Sequence, residues 1–88
     1  MTSPLRILHL EDDPVDAKYI KATLKDEGIA CDILRVQTRD DFTEAISQQH
    51  FDMLLADYRL PGFDGLSALA IAKEMCPNIP FVFISGNM

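Results

Sequence analysis

The sequence predicts an α/β domain built on a doubly wound, mainly parallel sheet of four strands connected by three helices. Two observations carry this expectation. Short apolar runs alternate with segments whose apolar residues recur every three to four positions, giving the order strand, helix, strand, helix, strand, helix, strand. In addition, Met53-Leu54-Leu55-Ala56 is apolar without alternation, as a central strand covered on both faces is. Parallel strands joined through helices take right-handed crossovers, which set helices on both faces of the sheet.

The elements follow in order. Leu5-Arg6-Ile7-Leu8-His9-Leu10 stops abruptly at Glu11-Asp12-Asp13, as a buried strand running out into a loop does. Asp13-Pro14 reads as an N-cap followed by proline at the first helical position, with Asp16 in the first turn. Ala17, Ile20 and Leu24 share one face of this helix, Lys18, Lys21 and Lys25 take the other, and Gly28 closes it. Asp32 to Val36 is a second, more polar strand, suited to a place near an edge. Thr38 caps a helix running to about Gln49, with Phe42, Ala45 and Ile46 inward and Asp40 and Asp41 at its positive end. Phe51 to Ala56 is the third strand, and Asp57 comes directly after it. Arg59 to Gly65 is turn-rich. Leu66 to Met75 is helical, and Pro77 and Pro80 bracket a break before the fourth strand, Phe81 to Ile84, which ends at Ser85-Gly86.

Composition narrows the function. The chain has 88 residues, enough for one domain, with 48% hydrophobic and 25% charged residues, an ordinary globular balance. Its 14 acidic residues against 8 basic ones leave a net charge of −6 and no basic stripe, so this segment is not expected to bind nucleic acid. No apolar run reaches the length of a membrane span, and the N-terminus lacks the pattern of a signal peptide, so the expected location is cytoplasmic. Cys31 and Cys76 stand in no metal-type spacing and read as reduced, half-buried apolar residues. His9 lies within a strand pattern and His50 at a helix end, and both read as structural or surface residues. No glycine-rich phosphate loop follows the first strand, so nucleotide binding finds no support. The segment from Asp12 to Asp16 lacks the later Gly and Glu of a calcium loop.

The chemistry gathers at the strand ends. Ligands of open parallel sheets sit beyond the carboxyl ends of the strands. Here those ends carry Glu11, Asp12 and Asp13 after the first strand, Asp57 after the third and Ser85 after the fourth. Singly, each has a plainer reading: Asp13 as a helix cap, Asp57 as the start of a turn, Ser85 as a turn hydroxyl. Together they point to function, because clustered carboxylates repel one another unless a hard cation lies between them. Mg²⁺ suits such a set. Asp57 then becomes a carboxylate nucleophile toward phosphorus, and the Ser85 hydroxyl a donor to a phosphoryl oxygen.

These residues resemble the receiver domain of bacterial response regulators. Leu5 to Pro14 is similar to that family's first strand and acidic pair, Asp57-Tyr58-Arg59-Leu60-Pro61-Gly62-Phe63-Asp64-Gly65 to its phosphoacceptor loop, and Phe81 to Gly86 to its fourth strand. The resemblance spans essentially all 88 residues. It implies a flavodoxin-like fold and a phosphoacceptor, Asp57, served by a sensor histidine kinase or a histidine phosphotransfer protein. It further implies Mg²⁺ held by Asp12 directly, by Glu11 through water, by Asp57 and by the backbone carbonyl of Arg59, with Ser85 sensing the phosphoryl group.

The family continues through a fourth helix, a fifth strand and a fifth helix, which these residues do not supply. The resemblance therefore makes residues 1–88 the N-terminal portion of a receiver domain. The fifth-strand lysine and aromatic switch are not among them, and Lys73 cannot stand in, being placed on the third helix. Strand four is then expected to be an apolar edge, with apolar surface exposed beside the first helix, so that the chain pairs with a copy of itself, exchanges elements or is part of a longer protein. Two other functions stay open at this stage. One is a binding or dimerisation module with the same fold but no phosphotransfer. The other is a phosphohydrolase with an aspartyl nucleophile, disfavoured because Asp57-Tyr58-Arg59 lacks the second aspartate that such a motif carries.

Overall fold

A computed structural model describes residues 4–57 and 64–84. Within them the elements are β1 (Leu5–Leu10), α1 (Pro14–Asp26), β2 (Cys31–Val36), α2 (Arg39–Gln48), β3 (Met53–Asp57), α3 (Gly65–Met75) and β4 (Phe81–Ile84). The four strands form one parallel sheet in the order β2-β1-β3-β4. This is the α/β fold expected, with the polar strand β2 at one edge and β4 at the other.

Pleating divides the sheet residues between two faces. Leu8, Leu10, Leu54 and Ala56 project to one side, where they meet Phe42 and Ala45 of α2 and Ala68 and Ala72 of α3 in the main core. Phe81 and Phe83 extend that layer along β4, their rings 5.1 Å apart and tilted. Ile7, His9, Leu55 and Asp57 project to the other side, which the right-handed first crossover assigns to α1. Cover on this second face is thinner. No residue of α1 is fully buried, and Ala17, Ile20 and Leu24 are half-buried. Val82 on the α1 side is 42% exposed, and Met53 and Ile84 are half-buried. The apolar surface expected beside the first helix is therefore present among the described residues.

Each helix begins on a side chain that satisfies an amide the helix leaves unpaired. Asp13 accepts from the Val15 amide at 2.8 Å, Thr38 from Asp41 at 3.1 Å and Asp64 from Ser67 at 2.7 Å. The last bond holds the Asp64 carboxyl below the usual carboxylate range. Helix α3 starts one residue earlier than the apolar pattern indicated, because Asp64 is its cap and Gly65 its first turn. At the end of α1 the amides of Gly28 and Ile29 donate to the carbonyls of Lys25 and Leu24 at 3.0 and 2.9 Å, with Gly28 at φ +79. This pair of bonds ends a helix through one left-handed residue. An added Cβ at Gly28 meets nothing within 4 Å, so only backbone strain opposes a side chain there. Gly28→Ala is expected to cost about 1–2 kcal/mol, the left-handed penalty, and to lower Tm by roughly 4–8 °C per kcal/mol in a thermal melt.

The third strand is displaced from its expected bounds. Phe51 precedes the ladder instead of starting it, and is buried as a plug of the main core with the Arg6 guanidinium 5.6 Å above its ring. Asp57, expected just beyond the strand, is its last paired residue, because β4 aligns Ile84 opposite it.

Candidate functional site

The site is built on the carboxyl ends of β1 and β3. At the end of β1 the Glu11 amide donates to the Val36 carbonyl at 2.9 Å, and the Glu11 carbonyl accepts from the Arg35 guanidinium at 3.0 Å. These two bonds tie the residue after β1 to the end of β2. The Glu11 side chain is almost fully buried, and its Oε2 accepts from the Asp13 amide at 3.2 Å. Asp57 is half-buried on the neighbouring strand, and Asp16 comes from the first turn of α1. One carboxylate oxygen from each of Glu11, Asp16 and Asp57 lies within 4.8 Å of the others.

Burial raises the Glu11 carboxyl from 4.5 to about 7. The Asp13 amide bond opposes the rise, while a side-chain hydrogen bond with Asp12 and the charges of Asp57 and Asp16 add to it. Burial leads the shift and the neighbouring carboxylates add to it, as expected where acids are gathered at a partly buried strand end. Oxygen donors at that spacing suit a hard divalent cation. A carboxyl with a raised value keeps its proton in the folded chain and loses it more readily unfolded. The stability this contributes is complete below pH 4.5 and disappears as pH rises through about 7. In metal-free buffer the urea midpoint is expected to fall across that window, and Glu11→Gln to flatten the fall. An unchanged slope in Glu11→Gln would contradict the assignment to this residue.

Beneath the acids lies His9, fully buried, with Nε2 4.0 Å from Glu11 Oε1. Burial lowers its pKa, Asp57 opposes and Arg35 reinforces the effect, so the contact with Glu11 is not an ion pair. Neither ring nitrogen has a hydrogen-bond partner among the described residues. A buried polar group left so costs about 1–3 kcal/mol.

The structure thus brings Glu11 and Asp57 together and leaves Asp12 exposed beside them, in side-chain contact with Glu11. Arg59 and Ser85 lie outside the described residues. Lys73 is exposed in the last turn of α3, as the helical pattern placed it. Cys31 and Cys76 are free and half-buried, and His50 is exposed. Three contributions are not read from the sequence. Asp16 was assigned to the helix start alone, and His9 to the strand, although the period of two sets residues 7, 9 and 11 on one side. Gly65 is a third: a Cβ there would stand 2.5 Å from the Phe83 ring and 3.1 Å from the Asp57 carbonyl. Glycine at this position lets the start of α3 close against the site strand.

Comparison with known proteins agrees with this geometry. A family model described as the response regulator receiver domain matches residues 7–88. The chain is 30% identical over 78 residues to the DNA-binding transcriptional regulator NtrC of Proteus hauseri, covering 89% of this chain and 16% of that protein. It is 33% identical over 83 residues to the transcriptional regulatory protein DltR of Streptococcus agalactiae, covering 94% and 36%. The chain therefore spans between about a sixth and about a third of the length of these relatives. Among solved structures, the receiver domain of sensor histidine kinase PA1611 from Pseudomonas aeruginosa, with a magnesium ion coordinated in its active site cleft, superposes with a TM-score of 0.80 at 28% identity. That match covers 97% of this chain and 70% of the other. A parallel β2-β1-β3-β4 sheet, acids at the ends of β1 and β3, and a family match over nearly the whole length make this chain a member of the response regulator receiver domain family.

Proposed function

We propose that residues 1–88 act as a phosphoacceptor receiver, taking a phosphoryl group on Asp57 from the phosphohistidine of a sensor kinase or a histidine phosphotransfer protein. The observation that carries this is the convergence of the Glu11, Asp16 and Asp57 carboxylates on one rim of the sheet. An Asp57 oxygen attacks phosphorus, the new O–P bond forms as the P–N bond to the donor imidazole breaks, and that electron pair leaves with the ring. Mg²⁺ would be held by Glu11, Asp12 and Asp57 with the Arg59 carbonyl, and when bound neutralises the carboxylates and the transferred group. Asp16 is placed to assist. The Ser85 hydroxyl is the proposed donor to a phosphoryl oxygen. The event is a signalling transfer and not a turnover reaction, and its expected setting is the cytoplasm. Among the described residues no helix is long and apolar enough to cross a membrane.

The test is intact mass after incubation with Mg²⁺ and a small phosphodonor. One phosphoryl group should be gained, and peptide mapping should place it on Asp57. A folded sample that gains none, or gains it elsewhere, would overturn the assignment.

A second reading concerns association. The exposed Val82 on the edge strand β4, beside half-buried Ile84 and Met53, favours pairing with another copy or exchange of elements. Sedimentation at micromolar concentration is expected to show a dimer that Val82→Lys shifts to monomer. A wild-type chain that sediments as a folded monomer would contradict it.

A further inference from the structure

His9 lies under the acid cluster, one residue before the carboxyl end of β1. Its strand neighbours on the same face are Ile7 along β1, Leu55 on β3 and Arg35 on β2. Arg35 is a donor already engaged with the Glu11 carbonyl, and so offers the imidazole no acceptor. The ring is fully buried, and neither nitrogen is hydrogen-bonded among the described residues. An acceptor stands just out of reach: Glu11 Oε1 is 4.0 Å from Nε2, about 1 Å beyond a hydrogen bond. The other Glu11 oxygen, Oε2, is held by the Asp13 amide at 3.2 Å. Each carboxylate oxygen keeps a further lone-pair site for an ion or for its water.

We propose that His9 is a positioning residue of the cation site, its Nε2–H donating to Glu11 Oε1 once a divalent ion engages the acid cluster. This rests on the reading that the cluster holds such an ion. With Asp13 on one oxygen and His9 on the other, the Glu11 carboxylate is fixed from both sides, in the way outer partners orient the ligands of metal centres. The same bond removes an unpaired donor from the interior, so occupancy of the site and packing around β1 become coupled. A leucine at position 9 would fill the space and lose the bond, whereas glutamine keeps an N–H donor.

The experiment is a Mg²⁺ titration of the full chain followed by imidazole ¹⁵N spectra, with affinities from calorimetry for wild type, His9→Leu and His9→Gln. The exposed His50 serves as the internal reference. The expected result is an Nε2–H tautomer for His9 whose signals move with Mg²⁺ while those of His50 do not. His9→Leu should bind Mg²⁺ about 10-fold or more weakly, and His9→Gln should recover most of that loss. Wild-type affinity in a folded His9→Leu, or His9 signals unmoved at saturating Mg²⁺, would overturn the proposal. Should His9→Leu not fold, the ring signals of the wild type decide by themselves. A folded wild type that binds no Mg²⁺ would overturn the cation reading, and this proposal with it.

Discussion

Asp57→Asn is expected to abolish phosphoryl uptake and, in the same variant, to remove the stabilisation that Mg²⁺ confers on the wild type. The substitution is nearly isosteric, so both effects trace to charge and nucleophilicity rather than packing. An amide does not offer phosphorus the anionic oxygen that the transfer uses. It also withdraws one of three acids whose oxygens lie within 4.8 Å. In metal-free buffer the sign reverses. Burial, the main cause of the raised Glu11 value, stays in the variant, but removing the Asp57 charge relieves part of the repulsion and should lower the Glu11 carboxyl somewhat from about 7. The metal-free variant should therefore unfold at a higher urea concentration than the metal-free wild type above pH 7. A ligand that binds the folded state alone stabilises by about 2.7 kcal/mol at a hundredfold excess over its Kd, and that gain should be missing from the variant. Thermal melts of the two proteins with and without Mg²⁺ above pH 7 test the two stability statements, and intact mass after incubation with a phosphodonor tests the loss of uptake.

Phe42→Ala is expected to remove a large share of the stability of the domain. Phe42 is fully buried on α2, in the same cluster as Leu8, Leu10 and Leu54 of the sheet and Ala45 of its own helix. Truncation of a buried phenylalanine costs about 3–5 kcal/mol through lost transfer energy and an unfilled cavity. Domains are stable by about 0.05–0.15 kcal/mol per residue, or about 4–13 kcal/mol for 88 residues, so this loss takes a large share of the total. The core is also one-sided. The α2 and α3 face holds the main cluster, while α1 contributes no fully buried residue to the other. Circular dichroism melts should show Phe42→Ala losing about 3–5 kcal/mol of stability and unfolding at a markedly lower temperature than the wild type. Phe42→Leu, which keeps most of the volume, should remain folded. Equal stability of wild type and Phe42→Ala would mean that the cluster is not the structural centre of the domain.

The elements were legible where local signals agreed. The Asp13-Pro14 pair, the Thr38 cap and the glycine after α1 each state a helix boundary through hydrogen bonds made within a few residues. The ends of β3 were not legible, because they depend on partners. Phe51 is as apolar as the strand after it, and its role as a core plug appears only once α2 closes over it. Asp57 enters the ladder because β4, 24 or more residues later, aligns Ile84 with it. At the site, Glu11 and Asp57 could be read from their places at strand ends. Asp16 and His9 could not, since helix caps and strand histidines of the same kind occur without any site. Their contribution depends on tertiary placement, which brings an acid from the start of α1 and a ring from β1, unpartnered among the described residues, close to the same acids.

The central claim is that the carboxyl ends of β1 and β3 form one cation-dependent phosphoryl site around Asp57. The most direct test is amide NMR during titration with beryllofluoride, a phosphoryl mimic, in the presence and absence of Mg²⁺. The account predicts shifts concentrated at residues 9–16, around Asp57 and at Gly65, which require Mg²⁺ and vanish in Asp57→Asn. Shifts that persist without Mg²⁺ or in Asp57→Asn, or a folded sample that does not respond at all, would contradict it.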